Sequence, residues 1–291
     1  MTGLSLAFAA GDPGGARAIL PVARAAAARG ITVAAMRHGV LHDEGAEDWV
    51  WRDPAVLAQP GFWTRADAPA ALIYATSVKD MAAVSTALVV QAVGRPIVHV
   101  LDNWSNYAAR LSGPGGARCL PDIYAVMDAL AAEGARRDGV PAALVRVTGH
   151  PGLARLADEA AALPGPAATG PRSLLFVSEP ARSDSGGPEA PGWRGYDEDS
   201  ISALAAAALA RPSAAAGAAV LRLRVVPHPR ENPAEVARRW RGLGAAHGLD
   251  WTLVAPDTVR PALHAADAVL GMSSILLYEG WLLGKPVLSL Q

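Results

Sequence analysis

The sequence predicts an α/β protein made of two doubly wound parallel-sheet domains, and three observations predict it. Short aliphatic and β-branched runs alternate with longer Ala-rich segments along the chain. That alternation breaks once, at LPGPAATGPR, residues 163–172, and then restarts. The length, 291 residues, suffices for two medium domains with sizeable cores.

In the first half, residues 4–9 read as a strand and 14–29 as a helix ended by Gly30. Residues 32–36 and 71–75 read as strands, the latter followed by a helix through about 93. Strands at 96–101, 123–126 and 144–147 complete this half, with a helix between the last two. Strand-helix alternation of this kind gives parallel strands joined by right-handed crossovers. The Pro- and Gly-rich break has no period and reads as connecting chain. The expected domains are 1–163 and 173–291, with 164–172 as linker.

The second half repeats the pattern. Strands are expected at 173–177, 220–226, 251–254, 267–270 and 287–290, and helices at 200–209, 233–246, 259–265 and 274–283. Pro233 sits in the first turn of its helix and Glu235 near that helix's positive end. Two such sheets are expected to face a cleft at their carboxyl ends, where open parallel sheets bind ligands. The stretch ARSDSGGPEAPGWRGYDEDS, residues 181–200, exceeds an ordinary strand-to-helix turn. It is read either as a lid or as a solvent-exposed insertion.

Composition narrows the function. The formal net charge is −1, which gives no electrostatic footprint for nucleic acid and at most peripheral contact with an anionic membrane. No apolar run reaches membrane-spanning length. The opening MTGLSLAFAAGDPGG has no basic leader and reads as a first strand, so a cytoplasmic protein is expected. Cys119 is the single cysteine, which excludes an internal disulfide framework and a cysteine-based zinc cluster. No metal site and no cofactor is expected.

Five motifs place polar residues at strand ends. In GMSSILLYEGWLLGKPVLSL, Gly271 permits a tight turn and Ser273-Ser274 opens a helix, whose unpaired N–H groups suit a phosphate. Glu279, about a turn and a half later, is placed to accept from ribose hydroxyls. The competing reading makes the serines ordinary caps and Glu279 an exposed helix residue. In VVPHPRE, two prolines fix the backbone around His228, and Arg230 can pair with a phosphate. A rigid turn with a surface histidine is the alternative.

In AAGDPGGARAILPVA, Gly14 and Gly15 would let a substrate approach the backbone. Asp12 is either a general base or a helix cap. This loop has neither the dinucleotide nor the Walker spacing. In VLDNWSNY, Asp102 and Asn103 suit sugar hydroxyls and Trp104 suits a sugar face. Alternatively Trp104 covers the core and Asp102 caps a helix. VTGHPGL places His150 either at a substrate or in a plain turn before a helix.

Together these motifs resemble the two-Rossmann fold of GT-B glycosyltransferases, mainly through the second half. The closing stretch resembles the donor-nucleotide helix of that superfamily, shared by UDP-N-acetylglucosamine 2-epimerases. GDPGGARAILPV resembles the glycine loop of lipid A disaccharide synthase. PHPRE with Ser273-Ser274 is similar to the His-Pro and Ser-Ser motifs of bacterial polysialyltransferases. The resemblance implies a metal-independent sugar transferase of polysaccharide biosynthesis, with a nucleotide-sugar donor and a carbohydrate or lipid-linked acceptor. It implies donor contacts at His228, Arg230, Gly271, Ser273, Ser274 and Glu279. Acceptor contacts would fall at Gly14, Gly15, Asn103, Trp104 and His150, with Asp12 or Asp102 taking the hydroxyl proton. Two departures accompany it. The fold usually continues past the Gly-Lys-Pro strand with a helix crossing back, whereas this sequence stops at Gln291. The epimerase pattern has a carboxylate pair after the Ser/Gly turn, and here Tyr278 precedes the lone Glu279. On that ground an epimerase or hydrolase ranks as the alternative to transfer, and a non-catalytic nucleotide-sugar binder as a third reading.

Overall fold

The computed structural model describes residues 3–77, 80–161, 172–210 and 221–291. They form two compact units, Met1–Arg155 and Leu156–Gln291. Most of the expected 164–172 linker lies outside the described residues; its last residue, Arg172, already opens a strand.

The first unit is a seven-stranded parallel sheet. Its strands are β1 (Ser5–Ala9), β2 (Thr32–Met36), β3 (Val50–Arg52), β4 (Ala71–Tyr74), β5 (Ile97–Val100), β6 (Ile123–Val126) and β7 (Val145–Val147). Their spatial order is β3-β2-β1-β4-β5-β6-β7, so the order reverses between β1 and β4. Ligands of such sheets sit outside the carboxyl ends at that reversal. The second unit has β8 (Arg172–Val177), β9 (Leu221–Val226), β10 (Asp250–Leu253), β11 (Ala268–Gly271) and β12 (Val287–Ser289). Its order, β10-β9-β8-β11-β12, reverses between β8 and β11. Every strand pair in both sheets is parallel.

Local chemistry explains the helix starts. Asp12 accepts from the Gly15 N–H at 2.9 Å, and Pro13 supplies the fixed φ of the first turn of the Pro13–Ala27 helix. That helix buries Ala16, Ile19, Leu20, Ala23 and Ala26, a stripe at helical spacing, and Gly30 closes the segment at φ +74°. Asp80 caps Met81–Ala92, and Asp128 caps Ala129–Arg137. In the second unit Asp197 and Ser200 form a capping box on Glu198–Leu209. Asn232 caps Pro233–His247.

The small residues suit a layered core: Ala7, Ala9, Ala10, Ala34 and Ala35 are buried on the strands beside the fully buried Trp63, Phe8 and Leu72. In the second unit Trp240 stacks edge-on against Phe176 at 4.9 Å. The sequence reading missed β3, whose three residues are too short to show a period, and the short helices Gly39–Glu44, Pro54–Leu57 and Pro60–Trp63 around it.

Under the carboxyl ends of the first sheet lies a titratable residue at full burial. His99, on β5, is stacked on Tyr124 at 4.7 Å and meets Tyr74 edge-on at 4.8 Å. Neither ring nitrogen has a hydrogen-bond partner among the described residues. Burial, with the Arg110 cation nearby, pushes its pKa down to about 3. Unfolded, the same imidazole takes a proton near pH 6.5. Between those two values the unfolded chain therefore binds the extra proton, and stability falls as the pH drops from the higher to the lower. Above about pH 7 the group makes no pH-dependent contribution. Urea titrations of wild type and His99→Phe from about pH 7 to about pH 4 should show the wild type losing stability relative to the variant. The limiting slope is about 1.4 kcal/mol per pH unit. A difference that stays constant with pH would contradict the buried neutral imidazole.

Candidate functional site

At the carboxyl ends of β1, β4 and β5 the first unit gathers a row of acidic, basic and imidazole groups. Asp12 receives N–H bonds from Gly15 and, 65 residues away, from Ser77, each at 2.9 Å. Both oxygens of its carboxylate thus hold backbone, the cap role rather than that of an open base. The Asp12 N–H in turn donates to the Asp80 carboxylate at 3.3 Å. Asp80, whose side chain is 8% exposed, also faces the half-exposed His38 ring at 3.4 Å. Gly11 makes room for that arrangement, since a Cβ there would run into the His38 ring.

Asp102 differs from its neighbours. Asp12, Asp53, Asp80 and Asp128 each follow a strand and cap the next helix. Asp102 follows β5 and caps none of the described helices, so the helix-cap alternative is not what the structure shows. Its buried carboxylate meets Arg110 at 2.5 Å. Burial pushes its pKa up to about 6, against the pull of the Arg110 cation and with a further push from Asp12. Gly14 faces this carboxylate with no side chain of its own. A Cβ there would overlap Asp102 Oδ2 and sit 3.4 Å from Asp12 Oδ1. Gly15 is confined less severely, with an added Cβ placed 3.0 Å from Asp12 Oδ2.

His150 belongs to the same group. Its Nδ1 accepts from the Leu153 N–H at 3.1 Å, so Nε2 carries the proton and lies 3.3 Å from the Asp102 carbonyl. Burial lowers its pKa, offset by these backbone contacts. Asn103 is half-buried beside Asp102. Trp104 packs on the Leu101, Leu111 and Tyr124 cluster and donates through its indole N–H to Asp128 at 2.7 Å. Its ring thus contributes to the core, as the alternative reading had it.

In the second unit, three of the residues expected to bind phosphate, Ser273, Arg230 and His228 through its amide, meet carboxylates of this chain. Glu179, just past β8, accepts from the Ser273 N–H at 2.9 Å and from its hydroxyl at 3.0 Å. Burial raises the pKa of Glu179, partly offset by those two donors. Ser274 caps the Ile275–Leu282 helix, its Oγ accepting from the Leu276 N–H at 3.3 Å. Gly271 is held tight, with a Cβ placed 3.0 Å from the Val177 carbonyl. Glu279 is buried on that helix, not exposed. Arg230 grips Asp184 with both guanidinium ends, at 2.5 and 2.6 Å.

The VVPHPRE turn is rigid for a reason the prolines alone do not supply. Glu231 accepts from the His228 backbone N–H at 2.9 Å and from the buried Ser178 hydroxyl at 2.9 Å. It ties the end of β9 to the end of β8. His228 Nδ1 accepts from the Arg230 N–H at 3.1 Å, which places the ring proton on Nε2. The 181–200 segment opens with the Ala181–Ser185 helix, and besides Asp184–Arg230 it is tied by Arg182 to Asp197.

Sequence reasoning missed Arg110, Asp80, Glu179, Asp184 and Glu231. Among the described residues, no cluster of three or more His, Cys, Asp or Glu side chains could hold a metal ion. No described helix is long and apolar enough to cross a membrane.

No protein-family model and no curated protein matches the sequence. Solved structures do match. MnaA of S. aureus, solved with UDP, aligns over 99% of this chain and 79% of its own, with TM-score 0.65 and 15% identity. A putative UDP-N-acetylglucosamine 2-epimerase from Listeria monocytogenes covers the same shares at TM-score 0.63 and 16% identity. The UDP-GlcNAc 2-epimerase of Neisseria meningitidis, bound to UDP-GlcNAc, covers 99% and 82% at TM-score 0.61 and 13% identity. The chain has the GT-B-like fold of these epimerases.

The tight approach of Asp102 to Gly14 makes a sharp stability test. Near a helix start, Gly→Ala would normally be neutral or favourable by propensity. Gly14→Ala should instead cost about 1 to 3 kcal/mol, because the carboxylate must move. Gly61→Ala, with nothing within 4 Å of its added Cβ, should stay within about 0.5 kcal/mol. Equal effects in thermal unfolding would contradict the packing described.

Proposed function

We propose that this chain is a UDP-sugar enzyme of the epimerising kind. The second unit would take the diphosphate, and the first unit would supply proton transfer. The observation that carries this reading is the fold match along 99% of the chain to UDP-GlcNAc 2-epimerases, one of them solved with UDP-GlcNAc. The sequence ranked sugar transfer first because the carboxylate pair after the Ser/Gly turn is absent. These comparisons favour the epimerase alternative over transfer. The missing carboxylate also loses weight, since Glu179 and Glu231 stand at the strand ends of the same unit.

In the proposed reaction, loss of the C2 proton forms a C1–C2 double bond as the C1–O bond breaks and UDP departs; a proton then adds to the other face of C2 as UDP re-forms the bond to C1, with no net redox change. The reaction needs a base that is charged near neutral pH yet strong enough to accept a proton. Asp102, raised to about 6 and free of cap duty, fits that requirement better than Asp12. The developing charge on a departing diphosphate needs fixed donors. Ser273 and Arg230 would be such donors, and Glu179 and Asp184 engage them in this structure. A diphosphate would exchange places with these carboxylates.

Two experiments test this. UDP-GlcNAc incubated with the protein in deuterium oxide should yield its C2 epimer, with deuterium at C2 by NMR. An unchanged nucleotide sugar, with UDP still bound, would return the case to transfer. Calorimetric titration with UDP should show Glu179→Ala binding on the order of tenfold tighter, about 1.4 kcal/mol, because a competing carboxylate is gone. Weaker binding would mean that Glu179 serves the ligand rather than substituting for it.

A further inference from the structure

Arg110 was invisible in the sequence, and its place in the first unit is unlike that of any other arginine described there. It is 5% exposed and lies on a single short turn, Ala109–Leu111. Its Nη1 donates to the Thr76 carbonyl at 2.6 Å, past the end of β4, and meets the Asp102 carboxylate at 2.5 Å, past the end of β5. Its Nε donates to the Ser105 carbonyl at 3.1 Å. One guanidinium thus joins the segments past β4 and β5, through three groups, and aims each of them.

We propose that Arg110 is the positioning residue for Asp102: it fixes the carboxylate against Gly14 and keeps it in the charged, proton-accepting form. The proposal deepens the epimerase reading and rests on Asp102 as the proton acceptor. A buried ion pair serving stability alone is a poor use of an arginine, because desolvating both charges offsets much of their attraction. Here the cation sits where the unit also carries its one strand-end aspartate with no helix to cap among the described residues. The groups facing Asp102 act in two directions. Burial and Asp12 oppose its charge; Arg110 is the side chain that favours it, helped by a weaker backbone hydrogen bond. His150 touches the Asp102 backbone carbonyl rather than the carboxylate. Remove the guanidinium, and burial with Asp12 outweighs the backbone hydrogen bond that still favours the carboxylate.

The test follows the Asp102 carboxyl carbon by NMR through a pH titration, in wild type, Arg110→Gln and Arg110→Lys. In Arg110→Gln the midpoint should move up by about 1 to 3 pH units. Arg110→Lys should fall between, since it keeps the charge but loses the fork. The wild type offers a second readout that needs no variant to fold: the Arg110 Nη signals should shift with the same midpoint as Asp102. With UDP-GlcNAc as substrate, the acid limb of kcat should move with the carboxyl midpoint in each variant, while the Kd for UDP stays constant. Arg110 signals that ignore the Asp102 titration, or a folded Arg110→Gln with an unmoved midpoint, would overturn the proposal. If the wild type leaves UDP-GlcNAc unchanged, the epimerase reading fails, and the NMR titrations still decide the role of Arg110.

Discussion

A guanidinium buried between two strand-end loops is the constraint on which the first unit's polar edge depends. Loops past parallel strands have no ladder to hold them, and their carbonyls need donors. Arg110 supplies donors to Thr76 and Ser105 and a counter-charge to Asp102. Without it, a carboxylate at 9% exposure would stand beside Asp12 with a backbone hydrogen bond as the main force against protonation. Fixing backbone and tuning acidity are here one interaction.

The second unit solves a related problem with the opposite sign. Donors at the ends of β9 and β11 attract anions, and the anions they meet are side chains. Glu179 occupies the Ser273 donors, and Asp184 occupies the Arg230 fork. Both lie on one short stretch past β8, the strand between those two donors in the sheet. Glu231 does something different: it binds Ser178 and the His228 amide together, so the histidine turn is set by a carboxylate inside its own motif. A diphosphate arriving there would meet donors already aimed, at the cost of displacing internal acids.

Much of this was legible in the sequence. Strands built from β-branched runs and helices opened by Asp, Asn or Pro stood near where local chemistry puts them, from Thr32–Met36 to Val259–Ala265. The strand-end motifs were legible too, because Gly, Pro and polar residues punctuate a parallel fold. What those residues touch was not. Arg110 matters through Thr76, 34 positions away, and Glu179 through Ser273, 94 positions away, and no periodicity encodes such pairs. Asp12 and Asp102 look alike in sequence, and only the structure separates the helix cap from the aspartate paired with arginine. β3 stayed hidden because three residues carry no pattern.

Under the proposed function, the Arg230 group of the second unit binds the nucleotide sugar and the Asp102 group of the first acts on it. Amide NMR perturbation by UDP-GlcNAc tests it most directly. Shifts should concentrate at Glu179, Asp184, His228 and Ser273 in one unit and at Gly14 and Asp102 in the other. Shifts confined to the amino ends of the strands, or none at saturating ligand, would contradict it.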